Sequence, residues 1–182
     1  MVKTLLIAAS MLIATNAAAS PSMTPLVMPR VLENGDQLLF CAENVDMCMD
    51  LAEQTVRFDL KMLTRVNNSV NHSIIYREEK INKWSIYPIY GDCEDYALTK
   101  MFELIKAGYS RAALRLTIVV IKETGEKHMV LNVETDQGTY VLDNRSDKVL
   151  RWDKINYYRW IATEQYIGNS MLFHVVNDFW NN

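Results

Sequence analysis

Apolar residues recur along this chain with two periods, and each period predicts a different kind of element. After Asp59, the residues Leu60, Leu63, Val66, Val70 and Ile74 follow at intervals of three, three, four and four, one helical face with Asp59 as N-cap. Cys93, Ala97, Met101, Leu104 and Ile105 form a second such face, and Gly108 stands where that helix is expected to stop. Beyond it the period changes. Leu114 to Lys122 is rich in Leu, Ile and Val and predicts a strand, followed by a turn over Glu123-Thr124-Gly125-Glu126. His128 to Thr135 is the next strand, with His128, Val130, Asn132 and Glu134 on one face by alternation. Asp136-Gln137-Gly138 reads as a hairpin loop and Thr139 to Asp143 as the returning strand. That register sets Thr135 opposite Thr139, Val133 opposite Val141 and Leu131 opposite Asp143. Val149 to Trp152 and Tyr157 to Tyr166 predict two more strands. Upstream, Phe40 to Gln54 predicts a short helix starting near Glu43 or Asn44, and Ile75 to Tyr90 is an aromatic loop. Pro21 to Gly35, with prolines at 21, 25 and 29, is an irregular leader. Helices first and antiparallel strands after describe an α+β fold.

Length narrows this to one domain: 182 residues, 49% hydrophobic and 23% charged, suffice for a single core. A formal charge of -3 and a pI of about 5.6 argue against nucleic acid or an anionic membrane surface as a partner. The first twenty residues stand apart. Lys3 is the only charge before Arg30, Leu5 to Ala14 is apolar except for Ser10, and Asn16-Ala17-Ala18-Ala19-Ser20 offers small residues for cleavage. This pattern predicts a signal peptide over residues 1–20 and a single domain over 21–182. The apolar run falls short of the ~20 residues of a transmembrane helix, and the alternative is an uncleaved anchor. With no second apolar span, the expected location is periplasmic or secreted, with no transmembrane segment after signal cleavage.

In an oxidising compartment three cysteines imply a pair and one free thiol. Cys41 and Cys48 are the candidate pair, provided Cys41 precedes the helix, because seven residues of regular helix rise ~10.5 Å. Three buried, reduced cysteines are the alternative.

Cys93 sits in Tyr90-Gly91-Asp92-Cys93-Glu94-Asp95-Tyr96-Ala97-Leu98-Thr99-Lys100, a tight turn running into a helix. Gly91 permits the bend, Asp92 is a good N-cap, and Asp95 three residues on nearly completes a capping box. In the first helical turn, unpaired N–H groups and the helix dipole favour a thiolate. The acids Asp92, Glu94 and Asp95 oppose it by raising the thiol pKa. Of the three histidines, His72 falls on a helix and His174 near the C-terminus, whereas His128 opens a strand whose partner ends in Asp143. A nucleophile, a base and a group that orients the base are what a cysteine peptidase needs. A lone strand histidine is more often structural; the order Cys93, His128, Asp143 favours catalysis.

The order and wording of these three pieces resemble the bacterial transglutaminase-like cysteine peptidases, whose characterised branch is the adhesin-cleaving, periplasmic LapG type. The Val66-Asn67…Val70-Asn71 pattern is similar as well, although Asn67 and Asn71 also suit plain bonds to neighbouring backbone. The segment before the catalytic turn, with Glu78, Glu79 and Trp84, is shorter than the family's. The resemblance implies a papain-like or transglutaminase-like fold with the catalytic cysteine at a helix N-terminus packed on an antiparallel sheet. It implies Cys93, His128 and Asp143 as catalytic residues and calcium supported by Asp92 and Glu94, against plain helix capping as the alternative. It also implies a surface or secreted protein substrate such as a large adhesin, and an inhibitory membrane receptor. Cys93 would form a thioester, with its backbone N–H and the Trp84 indole as oxyanion donors. A transglutaminase, a cell-wall amidase and a non-catalytic binding module on the same fold are the rival readings.

Overall fold

The computed structural model describes residues 31–32, 35–48, 55–79, 83–167 and 170–175. The predicted signal peptide, nearly all of the leader and the end of the helix predicted to reach Gln54 lie outside these residues. The elements run β1 (Val31–Leu32), α1 (Gly35–Glu43), α2 (Leu60–Asn71), β2 (Ile75–Tyr76), β3 (Tyr90–Gly91), α3 (Cys93–Lys106), β4 (Leu114–Ile121), β5 (Lys127–Thr135), β6 (Gly138–Asp143), β7 (Ser146–Arg151), β8 (Tyr158–Ile167) and β9 (Ser170–Val175). Seven strands form one antiparallel sheet in the order β1-β9-β8-β4-β5-β6-β7, while β2 and β3 pair in parallel as a separate ribbon. The α+β class expected from the pattern is the one found.

Both long helices begin where their sequence signals stand and α3 also ends there, whereas α2 stops at Asn71 and leaves Ile74 of the expected stripe beyond the helix. Asp59 caps α2 by accepting the Met62 N–H at 3.0 Å, and Gly108 closes α3 with φ of 90°. Leu63, Val66 and Val70 of α2 are buried, whereas Leu60 at the helix start is exposed. They pack with Leu98, Met101 and Leu104 of α3 onto Leu116, Leu131, Val133 and Leu142 of the sheet. The opposite sheet face carries a second core of Val119, Ile121, Val130, Val141, Trp152, Ile155, Tyr158 and Trp160. With apolar cover on both faces, every β5 residue except Lys127 is buried. A buried ion pair, Arg111 Nη2 to Glu164 Oε2 at 3.1 Å, ties the turn before β4 to β8, and the same carboxylate accepts the Leu116 N–H at 2.9 Å.

Three expectations are corrected. The first helix lies upstream of its predicted place, at Gly35–Glu43, with a short 3-10 turn over Val45–Met47. Cys41 therefore sits in the last turn of a helix rather than before one. The chain leaves the helix at Asn44 and folds back, so that Cys41 and Cys48 lie 5.6 Å apart at Cα and are disulfide-bonded. Val31 and Leu32, read as leader, pair with His174 and Phe173 of β9, a strand the pattern did not predict.

The third correction concerns the β5–β6 hairpin. The turn has two residues, Asp136 and Gln137, not three, and Thr135 pairs with Gly138, Glu134 with Thr139 and Leu131 with Leu142. Gly138 takes φ of 104°, a conformation its missing side chain allows, and opens the return strand one residue early. Gly91 serves differently from the expected bend. Its φ is not in the left-handed region; instead, an added Cβ would stand 2.5 Å from Asp95 Oδ2, 2.8 Å from Asp95 Cβ and 2.9 Å from Pro88 Cγ. Gly91→Ala is expected to displace Asp95 from the start of α3 and cost about 1–3 kcal/mol in urea unfolding.

Candidate active site

The chain enters α3 through Asp92, whose backbone is extended and whose N–H donates to Asp95 Oδ2 at 3.3 Å, one arm of the expected capping box. Asp95 Oδ1 also accepts the Ser85 N–H at 2.7 Å, so one buried carboxylate joins the helix start to the loop before it. Tyr96 anchors the same turn by donating its hydroxyl to Ile74 O at 2.6 Å. Ala97, Leu98 and Met101 are buried just beyond. Cys93, half-buried and the free cysteine among the described residues, is thus held by a packed helix rather than by a loop.

Its electrostatics run opposite to the expected thiolate. Burial pushes the Cys93 thiol up, and the Glu94 charge and the hydrogen bond from Sγ to Glu94 Oε2 at 3.0 Å push it further. The Met129 backbone N–H, bonded to the sulfur, pulls it down, but Asp92 adds to the rise. The net direction is upward, so these neighbours favour the protonated thiol. The acids themselves are strained by their crowding. Burial, then the Glu94 hydrogen bond and charge, lift Asp92 to about 7; burial chiefly, with Asp92 and Glu79 adding, lifts Asp95 to about 7.

His128 and Asp143, the expected base and orienting group, meet directly. His128 Nε2 and Asp143 Oδ1 are 2.9 Å apart, both buried. Opposed residues of paired strands share a face, and the observed β5–β6 register brings Asp143 to the face that His128 and Val130 occupy. In the register expected from sequence, Leu131 opposite Asp143 would have turned the carboxylate away from His128. The carboxylate is fully engaged: Oδ1 also accepts the Arg145 N–H at 3.0 Å, and Oδ2 accepts the Tyr158 hydroxyl at 2.6 Å. Burial pushes Asp143 up, but the His128 contact, Tyr158 and the Arg145 N–H outweigh it and hold the carboxyl below its ordinary value of 3.8. Tyr158 also packs its ring 5.7 Å from the His128 ring. Sequence reasoning missed Tyr158, because a tyrosine in an aromatic strand carries no spacing signal.

The remaining candidates fall elsewhere. His72 is exposed at the end of α2, 3.8 Å from Asp147, and His174 lies on β9 at the far side of the sheet. Trp84 is buried in the core with its ring 5.9 Å from that of Phe40, and its indole N–H has no partner. Asn67 and Asn71 bond to backbone, as their simpler reading had it: Asn67 Nδ2 to Ser146 O at 2.8 Å and Asn71 Nδ2 to Asp143 O at 3.0 Å. Asp92 and Glu94 flank Cys93 and contact each other. Among the described residues no three His, Cys, Asp or Glu side chains cluster as a metal site. Nor is any described helix long and apolar enough to cross a membrane.

A family model for bacterial transglutaminase-like cysteine proteinases matches residues 35–177. The chain belongs to that family. It is accordingly a cysteine peptidase with the family's α+β fold. Solved structures of LapG from Legionella pneumophila share the fold. The calcium-bound form matches with TM-score 0.55 at 20% identity, covering 78% of this chain and 81% of LapG. The EGTA-treated form matches with TM-score 0.54 at 21% identity, covering 81% of each chain. No curated protein matches.

Because the folded pKa of Asp143 is the lower one, its contribution to stability is whole above about pH 4 and is lost as pH falls through the folded value. Tyr158→Phe removes one of the groups that hold the carboxyl down. It is expected to raise the acidic limb of kcat/KM and lower its plateau about tenfold, the loss of one hydrogen bond to a charged group. A pH-rate profile of the variant against wild type checks this.

Proposed function

We propose that this peptidase is a periplasmic or secreted endopeptidase in which Cys93 is the nucleophile, His128 the base and Asp143 the group that orients the base. The observation that carries this is the buried His128–Asp143 bond of 2.9 Å beside Met129, whose N–H bonds the Cys93 sulfur. With Nε2 taken by Asp143, Nδ1 of His128 is the nitrogen left to receive the thiol proton. Cys93 Sγ attacks the peptide carbonyl carbon as its proton passes to His128. The oxyanion that forms is met by the free Cys93 N–H at the start of α3. As the tetrahedral carbon collapses, the C–N bond breaks and the leaving amine takes the proton from His128. Water, losing a proton to His128, then attacks the thioester; the new carboxylic acid leaves and the thiol is restored.

Calcium held by Asp92 and Glu94 belongs to the same proposal. Their oxygens are hard donors, and the crowding that lifts Asp92 to about 7 is what a bound cation relieves. Backbone carbonyls and water would complete the shell. Bound there, the ion supplies positive charge that offsets the acids opposing the thiolate. The calcium-bound and EGTA-treated LapG structures support this choice of metal. The substrate class is a surface-anchored or secreted protein such as a large adhesin, reached after removal of residues 1–20 and restrained by an inhibitory membrane receptor; the family resemblance supports these assignments.

The test is proteolysis of candidate surface proteins by wild type and Cys93→Ala, with EGTA and with calcium restored. Wild type is expected to yield defined fragments and Cys93→Ala to fall at least about a thousandfold. EGTA is expected to suppress cleavage, calcium to restore it, and Asp92→Asn to lose the restoration. Crosslinked product would instead identify a transglutaminase, cleavage confined to peptidoglycan an amidase, and a phenotype untouched by Cys93→Ala a binding module.

A further inference from the structure

Between α2 and α3 the chain exposes apolar surface close to Cys93. Ile75 is 58% exposed, Tyr76 60% and Ile89 72%, all on the β2–β3 ribbon or next to it. Parallel strand pairs are ordinarily covered on their faces, and a ribbon of two strands is marginal by itself. This one is held by α3. The Tyr96 hydroxyl grips Ile74 O just before β2. Ahead of β3, Asp95, Thr99 and Glu103, one stripe of α3, accept the Ser85 N–H, the Tyr87 N–H and the Tyr87 hydroxyl in turn. Both strands are therefore fixed to the helix that Cys93 begins.

The ribbon leaves one edge open. The Ile75 N–H donates to Ile89 O at 3.0 Å and the Arg77 N–H to Gly91 O at 2.9 Å. Alternate residues of a strand aim their backbone groups at opposite edges, so Tyr76 turns its N–H and C=O away from β3. No described strand pairs with β2 on that side. Proteins commonly shield such an edge with a charged side chain. Arg77 is instead folded back, its guanidinium 3.5 Å from the centre of the Tyr90 ring. The edge is also close to the nucleophile proposed above. Tyr76 pairs with Gly91, and Cys93 comes two residues after Gly91. A strand laid beside β2 would set its residue opposite Tyr76 on the order of 12 Å from Cys93, about four residues of extended chain. In keeping with that nearness, burial and then the charges at Cys93, Asp92, Glu78 and Glu94 push the Tyr76 hydroxyl up.

We propose that the outer edge of β2 is the substrate-docking strand of this peptidase: an extended stretch of the polypeptide to be cleaved adds to it as a third strand, bonded through the N–H and C=O of Tyr76. This rests on Cys93 as the nucleophile and deepens that reading by naming the conformation and character of the segment that docks. The substrate residue opposite Tyr76 sets its side chain against that ring, and the residues flanking it fall on the Ile75 face. Both contacts select apolar residues. β2 runs on into Glu78 and Glu79, which disfavour acids in the docked segment.

The probe is a library of ten-residue peptides, with cleavage read by mass spectrometry. Tyr76→Ala is expected to raise KM about threefold through the lost ring. Tyr76→Pro also deletes the outward N–H but takes no bond from the ladder, and is expected to raise KM about tenfold or more with kcat unchanged. Alkylation of Cys93 by iodoacetamide, which needs no docking, is expected to keep the wild-type rate in both. A Tyr76→Pro no worse than Tyr76→Ala would overturn the pairing. A single N-methyl amide walked along a cleaved peptide checks it with the enzyme unchanged. One position within about four residues of the scissile bond is expected to lose about fivefold or more and the positions flanking it little; an even response would overturn the proposal. A dimer of the free protein that Tyr76→Pro dissociates would make a second copy the occupant and overturn it too. Where the wild type cleaves no peptide, hydrogen exchange at the Tyr76 amide of Cys93→Ala decides. Exchange slowed by the library would sink the proposed function and keep the docking edge, whereas unchanged exchange would overturn the docking edge as well.

Discussion

Whether His128 and Asp143 can meet depends on one residue of strand register. Side chains alternate between the faces of a sheet, so a slip of one residue exchanges the faces of a whole strand. The two-residue turn at Asp136–Gln137, closed by Gly138 at positive φ, puts Asp143 on the face of Val130 and His128. An irregularity in the β6–β7 pairing between Val141 and Asp143 then leaves the carboxylate outside a plain ladder, where the Arg145 N–H can reach it. Tyr158 crosses from β8 to take the other oxygen. The acid is therefore set by three strands at once, and none of its partners is close to it in sequence except Arg145.

At Cys93, the helix terminus and the neighbouring acids act in opposite directions, and their magnitudes decide the result. A helix N-terminus stabilises a nearby anion by ~0.3–1 kcal/mol, less than one unit of pKa. A carboxylate in contact shifts a pKa by ~1–3 units, and burial adds to it. Burial, and then Glu94 at 3.0 Å from the sulfur, therefore outweigh the dipole, and the balance favours the protonated thiol. Burial first, and the neighbouring acids after it, lift Asp92 and Asp95 to about 7. A cation brought to this corner would act in the opposite direction.

Much of this was legible in the sequence where the signal is local. The Asp59 cap, the buried stripe of α2, the start of α3 at Cys93 and its end at Gly108 each follow from residues a few positions apart. The fold class was legible from helices preceding strands, and the candidates Cys93, His128 and Asp143 were picked out by their order and setting, of which the fold displays the His128–Asp143 contact. What escaped was non-local or balanced on one residue. The hairpin loop was read as three residues because Gly138 can close a turn or open a strand equally well. The Tyr158 hydroxyl finds Asp143 across 15 residues of intervening chain, which no periodicity records. The first helix was misplaced because Cys41 was required to precede it, whereas a 3-10 turn after Asn44 brings the two cysteines together without that condition.

The helix that is most distant from the chemistry in function is tied closest to it by hydrogen bonds. Asn71 of α2 donates to the carbonyl of Asp143 and, at 3.1 Å, to the carboxylate of Asp147; Asn67 donates to Ser146 O. Those carbonyls flank the tight β6–β7 turn, where Asp143 and Ser146 are paired residues. Each amide bond adds about 0.5–1.5 kcal/mol, on the order of a helix cap. Docking of α2 thus helps to hold the hairpin's shape. The docking rests on Leu63, Val66 and Val70, which lie beside the two asparagines on the helix and are buried against α3 and the sheet. The stripe read first from the hydrophobic pattern thereby contributes to the placement of Asp143. A cavity opened under α2 would be felt at Asp143 before it was felt at Cys93, since Cys93 is held by its own helix and Asp143 by a hairpin bonded to a neighbouring one.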